Sequence, residues 1–223
     1  MSVMNGCVDY CTDKELVLKE QKPGKSHLIQ ILRKKNRILE LYENAPPKSA
    51  VICYDEWGPL ELKPIHGYHW SKRGKPKRLR ATYRRTSGTE QMLSFYDVHK
   101  DCLVGTIHKR KQIRDVLTAF KMLRRSYPKS IRLFVIMDNL PLHKSDKLMK
   151  YYKQNNIVPI WTPTYASWLN IIEGHFSPLK KFTLTVSDDF DHLSRRKRIY
   201  KYLRWGNRKI NSHKLKLANV FNH

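Results

Sequence analysis

Apolar and polar positions alternate along this chain with clear periods. From Ser26, a residue suited to cap a helix, the positions Leu28, Ile31, Leu32, Ile38, Leu39 and Tyr42 recur at three and four, and Pro46-Pro47 ends the pattern. Ala50–Asp55 is a short apolar run closed by an acid and followed by the turn-prone pair Gly58-Pro59, which predicts a strand. β-prone runs follow at about 79–85, 91–98 and 102–108. The last two are separated only by His99-Lys100-Asp101, short enough for a hairpin. Ile113, Val116, Leu117, Phe120 and Leu123 share one face of a helix over about 110–126. Ile131–Met137 is nearly continuously apolar, the pattern of a strand covered on both faces. A helix then runs to about Asn155, a strand covers Ile157–Trp161, and a further helix is expected from about Ser167. In that last helix Trp168, Ile172 and Phe176, widened by Leu169 and Leu179, form a buried stripe, and Pro178 should kink or restart it.

This order of elements predicts an α/β fold, a mixed sheet with helices on both faces. It divides the chain into a linker and helix over 1–48, a core domain over 49–190 and a basic helical segment over 191–223. Sites in such sheets form at the C-terminal ends of strands, where Asp55 and Asp138 stand.

Charge changes the picture more than size does. Forty-four Lys and Arg against nineteen Asp and Glu give a formal charge of +25, which points to a polyanion partner. The segment 69–85 interleaves cations with His69, Trp70 and Tyr83. Lys72, Arg73, Lys75, Lys77, Arg78 and Arg80 are its candidate phosphate contacts, against the plainer reading of a solubilising loop. From Arg195 to Lys209, cations mix with Ile199, Tyr200, Leu203 and Trp205. The plain expectation is an amphipathic helix with its basic side outward; the sharper one is a contact with DNA or a second subunit. Four cysteines form neither a disulfide framework nor a zinc-finger pair of pairs, and neither a signal peptide nor a membrane span is visible. A cytoplasmic protein without a membrane partner is expected.

Among the acids, Asp55, Asp138 and Glu173 stand out. Phosphoryl transfer on DNA needs an activated attacking oxygen and a stabilised leaving oxygen. Two divalent ions held by a few carboxylates supply both. Glu173 borders the expected stripe with Asn170 on its own side. Glu56 would face the opposite side of a continuing strand, Asp97 and Asp101 flank the hairpin turn, and Asp188, Asp189 and Asp191 read as a loop with a helix cap.

Tyr54-Asp55-Glu56, Asp138-Asn139 with His143, and the run Pro163–Glu173 through Ser167-Trp168-Leu169-Asn170 resemble DDE transposases of the mariner superfamily in its bacterial insertion-sequence branch. Thirty-four residues separate Asp138 from Glu173, as in that family. Gly67-Tyr68-His69-Trp70 and His175-Phe176 extend the likeness over roughly residues 25–190. The resemblance implies an RNase H-like fold and DNA cleavage and strand transfer dependent on Mg²⁺ or Mn²⁺, with two ions. It makes Asp55, Asp138 and Glu173 the metal ligands, with His143 and Asn170 as phosphate contacts or support behind them. It implies double-stranded DNA as partner (element ends and a TA target), a homo-oligomer on that DNA, and a location on the bacterial nucleoid. Family members carry helix-turn-helix modules before the catalytic domain. Only about fifty residues precede Asp55 here, so a separate helix-turn-helix subunit or reading-frame product is expected. The alternative is a catalytically incomplete DNA-binding remnant or regulator of a full-length transposase.

Overall fold

A computed structural model describes residues 25–68, 71–75, 78–79 and 88–209. The run expected at 79–85 lies outside them apart from Leu79. The elements are α1 (Lys25–Glu43), β1 (Ser49–Glu61), β2 (Thr89–Asp97), β3 (Cys102–His108), α2 (Ile113–Arg125), β4 (Arg132–Met137), a 3₁₀ turn (Pro141–Lys144), α3 (Asp146–Gln154), β5 (Ile157–Trp161), a second 3₁₀ turn (Ser167–Leu169), α4 (Glu173–Thr183) and α5 (His192–Lys209). The strands form one sheet in the order β3-β2-β1-β4-β5. β1, β2 and β3 pair antiparallel, whereas β4 lies parallel to β1 and β5 parallel to β4.

The hairpin expected between β2 and β3 forms around Asp97, whose Oδ1 accepts the amides of His99 (3.2 Å) and Lys100 (3.0 Å). β1 is longer than expected. It runs through Gly58-Pro59 to Glu61, because β2 goes on pairing with it past a register shift between Trp57 and Leu60. Asp55 therefore lies inside β1. The parallel pairing with β4 has ended by Cys53, so Asp55 still stands at the C-terminal end of the parallel pair.

Alternation along the strands divides the core in two. Val51, Cys53, Phe134 and Ile136 face α1, α4 and α5, which contribute Ile38, Leu41, Ile172, Leu179, Ile199 and Leu203. Ala50, Ile52, Tyr54, Leu133, Val135 and Met137 face α2 and α3, with Val116, Phe120, Leu148 and Tyr152. Among the described residues no helix is long and apolar enough to cross a membrane.

The structure departs from two expectations. α4 begins at Glu173, not near Ser167, and Trp168 is 48% exposed rather than part of a buried stripe. The carbonyl of Leu169 accepts the Tyr42 hydroxyl (2.6 Å), while the Glu173 amide bonds to Asn170 (3.2 Å), so the stretch before α4 closes as tight turns. α4 then continues through Pro178 without restarting. In α5 the basic side is not all outward. Arg195 is fully buried, paired with Asp189 (3.1 Å) and the Glu61 carbonyl, and Arg196 and Arg198 reach the buried acids Glu90 and Asp189.

Candidate active site

The register of β1 and β4 brings two acids together. Pairing is constant from Ser49↔Arg132 to Cys53↔Ile136, so two residues further along Asp55 stands level with Asp138. Alternation turns Asp55 to the side of Val51 and Cys53, while Asp138 lies one residue past the end of β4. The side of Val51 and Cys53 is the face on which α4 packs through Leu179, with Ile172 just ahead of it, and α4 opens with Glu173. Glu173 is exposed at the helix start, where the helix dipole favours a negative charge.

The electrostatics record this convergence at Asp55. Burial is the first cause that pushes its carboxyl up, to about 7, and the charges of Glu56, Glu173 and Asp138 add to it, against one lowering bond from the Glu56 amide (2.7 Å). Among the described residues no ion pair involves Asp55 or Glu173.

His143 and Glu56 stand beside this group. His143 lies on the 3₁₀ turn after β4 and is 1% exposed. Its Nε2 is 3.2 Å from Glu56 Oε1 and 3.2 Å from Asp138 Oδ1, and its ring stands edge-on to Tyr54 at 5.2 Å. Nδ1 is buried without a partner, so its polar anchoring falls on Nε2. Burial works against the imidazolium, but the hydrogen bonds and charges of Asp138 and Glu56 override it and hold His143 up at about 9. Burial likewise opposes ionisation of Glu56 and Asp138, and in each the bond and charge of His143 win, lowering both. Tyr54 donates its hydroxyl to Glu56 (2.9 Å), and the Lys111 ammonium lies 3.7 Å from the same carboxylate.

Glu56 is the residue that sequence reasoning set aside. Its side chain does leave Asp55 for the other face of β1, but His143 reaches it from that face and joins it to Asp138. The signal was present: an Asp-Glu pair on one strand, and an Asp with a His five residues on after the next parallel strand.

Asn170 is 3% exposed and donates Nδ2 to the Tyr54 carbonyl (2.9 Å), on the peptide that leads into Asp55. Its own carbonyl accepts the Glu173 amide, so one residue ties the start of α4 to the Asp55 position. Asn139 donates to the Thr162 carbonyl and accepts from Lys144 (2.9 Å), fixing the ends of β4 and β5 to each other. Lys72, Arg73, Lys75 and Arg78 are exposed on the connection between β1 and β2, whereas Lys77 and Arg80 lie outside the described residues.

Among the described residues no three His, Cys, Asp or Glu side chains stand close enough together to ligate one ion. The donor chemistry nonetheless fits a hard divalent cation: oxygens only, anionic and, among the described residues, unmatched by Lys or Arg at Asp55 and Glu173.

The sequence matches the family of DDE superfamily endonucleases over residues 50–194, a stretch that contains all three acids. The chain belongs to that family. A curated relative is the insertion element IS630 uncharacterized 39 kDa protein of Shigella sonnei, 25% identical over 134 residues. That alignment covers 55% of this chain and 35% of the relative, so the chain spans about a third of the relative's length. Among solved structures the fold is similar to Mos1 in its strand transfer complex, with a TM-score of 0.60 and 13% identity over all of this chain and 68% of the other. It is also similar to the catalytic domain of Mos1 mariner transposase, with a TM-score of 0.54 and 13% identity over 89% of this chain and 96% of that one. The DDE endonuclease chain thus has the RNase H-like arrangement that the sequence resemblance implies.

Proposed function

We propose that this chain is the catalytic domain of a transposase, carrying out metal-dependent DNA cleavage and strand transfer. The observation that carries the reading is the gathering of Asp55, Asp138 and Glu173, with the charges of the other two among those that raise the Asp55 carboxyl and, among the described residues, no cation paired to it. In this reading the three acids hold Mg²⁺ or Mn²⁺, as two ions. Such ions activate the attacking oxygen and stabilise the leaving one. Support also comes from the Mos1 neighbours, whose complexes include a strand transfer complex and paired end complexes with Mn and with Mg.

The chain's own residues have separate tasks. His143, held by Glu56, fixes the Asp138 carboxylate from behind. Asn170 fixes the start of α4, and therefore Glu173, against the Asp55 peptide. Lys72, Arg73, Lys75, Lys77, Arg78 and Arg80 bind phosphates of the duplex. Six such contacts would give log affinity a slope against log salt of roughly −5. The catalytic unit occupies 49–190, with 1–48 and 191–223 flanking it. Element ends and a TA target are its DNA, a helix-turn-helix subunit or reading-frame product supplies end recognition, and the protein acts as a homo-oligomer on the nucleoid.

The test is a cleavage and strand-transfer assay on DNA carrying element ends, with the upstream reading-frame product supplied. Asp138→Asn and Glu173→Gln are expected to abolish Mg²⁺-dependent cleavage, a loss beyond the roughly 10–100-fold typical of residues behind a metal ligand. DNA affinity should stay within about threefold, because phosphate contacts dominate it. Cleavage retained by both variants would overturn the reading.

A further inference from the structure

A second charged feature lies at the other end of β4. A cleft of about 520 Å³ opens where α2 and α3 end, lined among others by Lys121, Arg124, Arg125, Tyr127, Lys129 and Tyr151, and none of its lining residues is acidic. Lys121, Arg125 and Lys129 are exposed. Arg124 is different: it is 7% exposed, and among the described residues its guanidinium bonds only to neutral carbonyls, those of Ile131 (2.9 Å), Asn155 (3.2 Å), Tyr127 (3.3 Å) and Pro128 (2.7 Å). Its Nε is buried with no partner. These bonds satisfy carbonyls at the helix ends and in the loop but supply no counter-charge. A buried cation without an anion is costly, and an anion in the cleft would offset that cost.

The cations form a row rather than a point. Lys121 and Arg125 are one helical turn apart on α2, and Lys129 continues the row from the following loop. A row of cations beside two tyrosine rings suits a chain of phosphates carrying bases. β4 is six residues long, so at about 3.3 Å per residue the cleft is roughly 20 Å from Asp138.

We propose that this cleft is a second nucleic-acid contact, a phosphodiester site that seats the backbone of a DNA strand at the end of the sheet away from the three acids. It takes DNA as partner from the reading above but nothing from the catalytic roles. Cleavage-deficient Asp138→Asn therefore binds here as the unaltered protein does, and failure of one idea is separable from failure of the other.

The experiment measures binding of a fluorescein-labelled oligonucleotide to the full chain across a salt series. Lys121→Glu/Arg125→Glu/Lys129→Glu changes three exposed side chains, and Lys34→Glu/Lys180→Glu/Lys181→Glu makes the same charge change at exposed positions outside the cleft. The cleft variant is expected to lose at least about tenfold in affinity, and its log–log salt slope should flatten by about 2, the share of three phosphates on a single strand. The control variant should change less than about threefold. Equal losses in both variants, or no loss in the cleft variant, would overturn the proposal. A calorimetric titration with ATP and with inorganic phosphate separates the sources of the phosphate. ATP or phosphate binding that the cleft variant loses, with oligonucleotide affinity unchanged, would overturn the DNA assignment in favour of a free ligand.

Discussion

Two groups of acids in this molecule are treated in opposite ways. Near the start of α5, Glu90 and Asp189 have side chains only 2% exposed, and each is matched by arginine. Arg196 holds Glu90 through two nitrogens, while Arg195 and Arg198 both reach Asp189. Among the described residues, no arginine pairs with an acid at the Asp55–Asp138–Glu173 end. The cations described there are His143, between Asp138 and Glu56, and Lys111 beside Glu56. With forty-four Lys and Arg against nineteen acids, the chain has basic residues to spare. The gap at Asp55 is therefore not a shortage. Matched acids hold the fold together; unmatched acids leave room for a cation from solution.

The largest expected effects test this contrast directly. Asp189→Ala leaves Arg195 buried without its acid and should cost about 3–5 kcal/mol, as breaking a buried pair does. Glu90→Ala should cost less, because Arg196 has a side chain 34% exposed and can turn to solvent. Asp55→Asn removes a carboxylate that its neighbours repel, so without metal its stability should equal or exceed that of the unaltered protein. Urea midpoints at constant m measure both. An Asp55→Asn variant as unstable as Asp189→Ala would erase the distinction between the two groups.

This contrast was only partly legible in the sequence. β4, α2 and the β2–β3 hairpin follow from local pattern: a short apolar run, a helical period, a three-residue turn led by Asp97. Asp55 and Asp138 stand out because they close such runs. The rest depends on contacts between distant segments. Arg195 looks like a surface cation in any helical pattern, and only Asp189 and the Glu61 carbonyl make it interior. β1 continues past Pro59 because β2 is there to pair with Leu60. The turns ahead of α4 hold a hydroxyl of α1, that of Tyr42, on the Leu169 carbonyl, a contact which no spacing near Ser167 reveals. Glu56 was placed correctly by alternation, but being on the other face did not remove it from the site, because His143, just past the end of β4, joins it to Asp138.

His143 and Glu56 should show an intermediate effect. If His143 holds Asp138 in place from behind, Glu56→Gln keeps the shape of the group but weakens that hold, and His143→Gln removes its charge. Each should lower Mn²⁺ affinity about 10–100-fold, the range for residues behind a metal ligand. Electron paramagnetic resonance of free Mn²⁺ measures this without relying on turnover, and cleavage should recover in part when Mn²⁺ is raised. Unchanged affinity in both variants would mean that Asp138 is oriented without them.

The smallest expected effect is one of pH, and its sign follows from Asp55. The carboxyl is raised to about 7 in the folded chain, above the 3.8 of an ordinary aspartate. Between those values the folded state holds a proton that the unfolded state has released, so stability without metal falls as pH rises through that window and levels off above it. His143 adds a fall at higher pH. Its charge stabilises the fold fully below 6.5 and is lost as pH rises through about 9. A divalent cation binds the ionised form of Asp55 and must displace its proton below pH 7. The rise in Tm produced by a fixed Mg²⁺ concentration should therefore be small at pH 5.5, grow through pH 7 and flatten by pH 8. One kcal/mol corresponds to about 2–4 °C for a chain of this size, within reach of a thermal scan. Asp55→Asn should remove the pH dependence of the Mg²⁺ effect. A Mg²⁺ effect that is flat from pH 5.5 to 8 in the unaltered protein would place the ion away from Asp55, and the unmatched carboxylate would need another explanation.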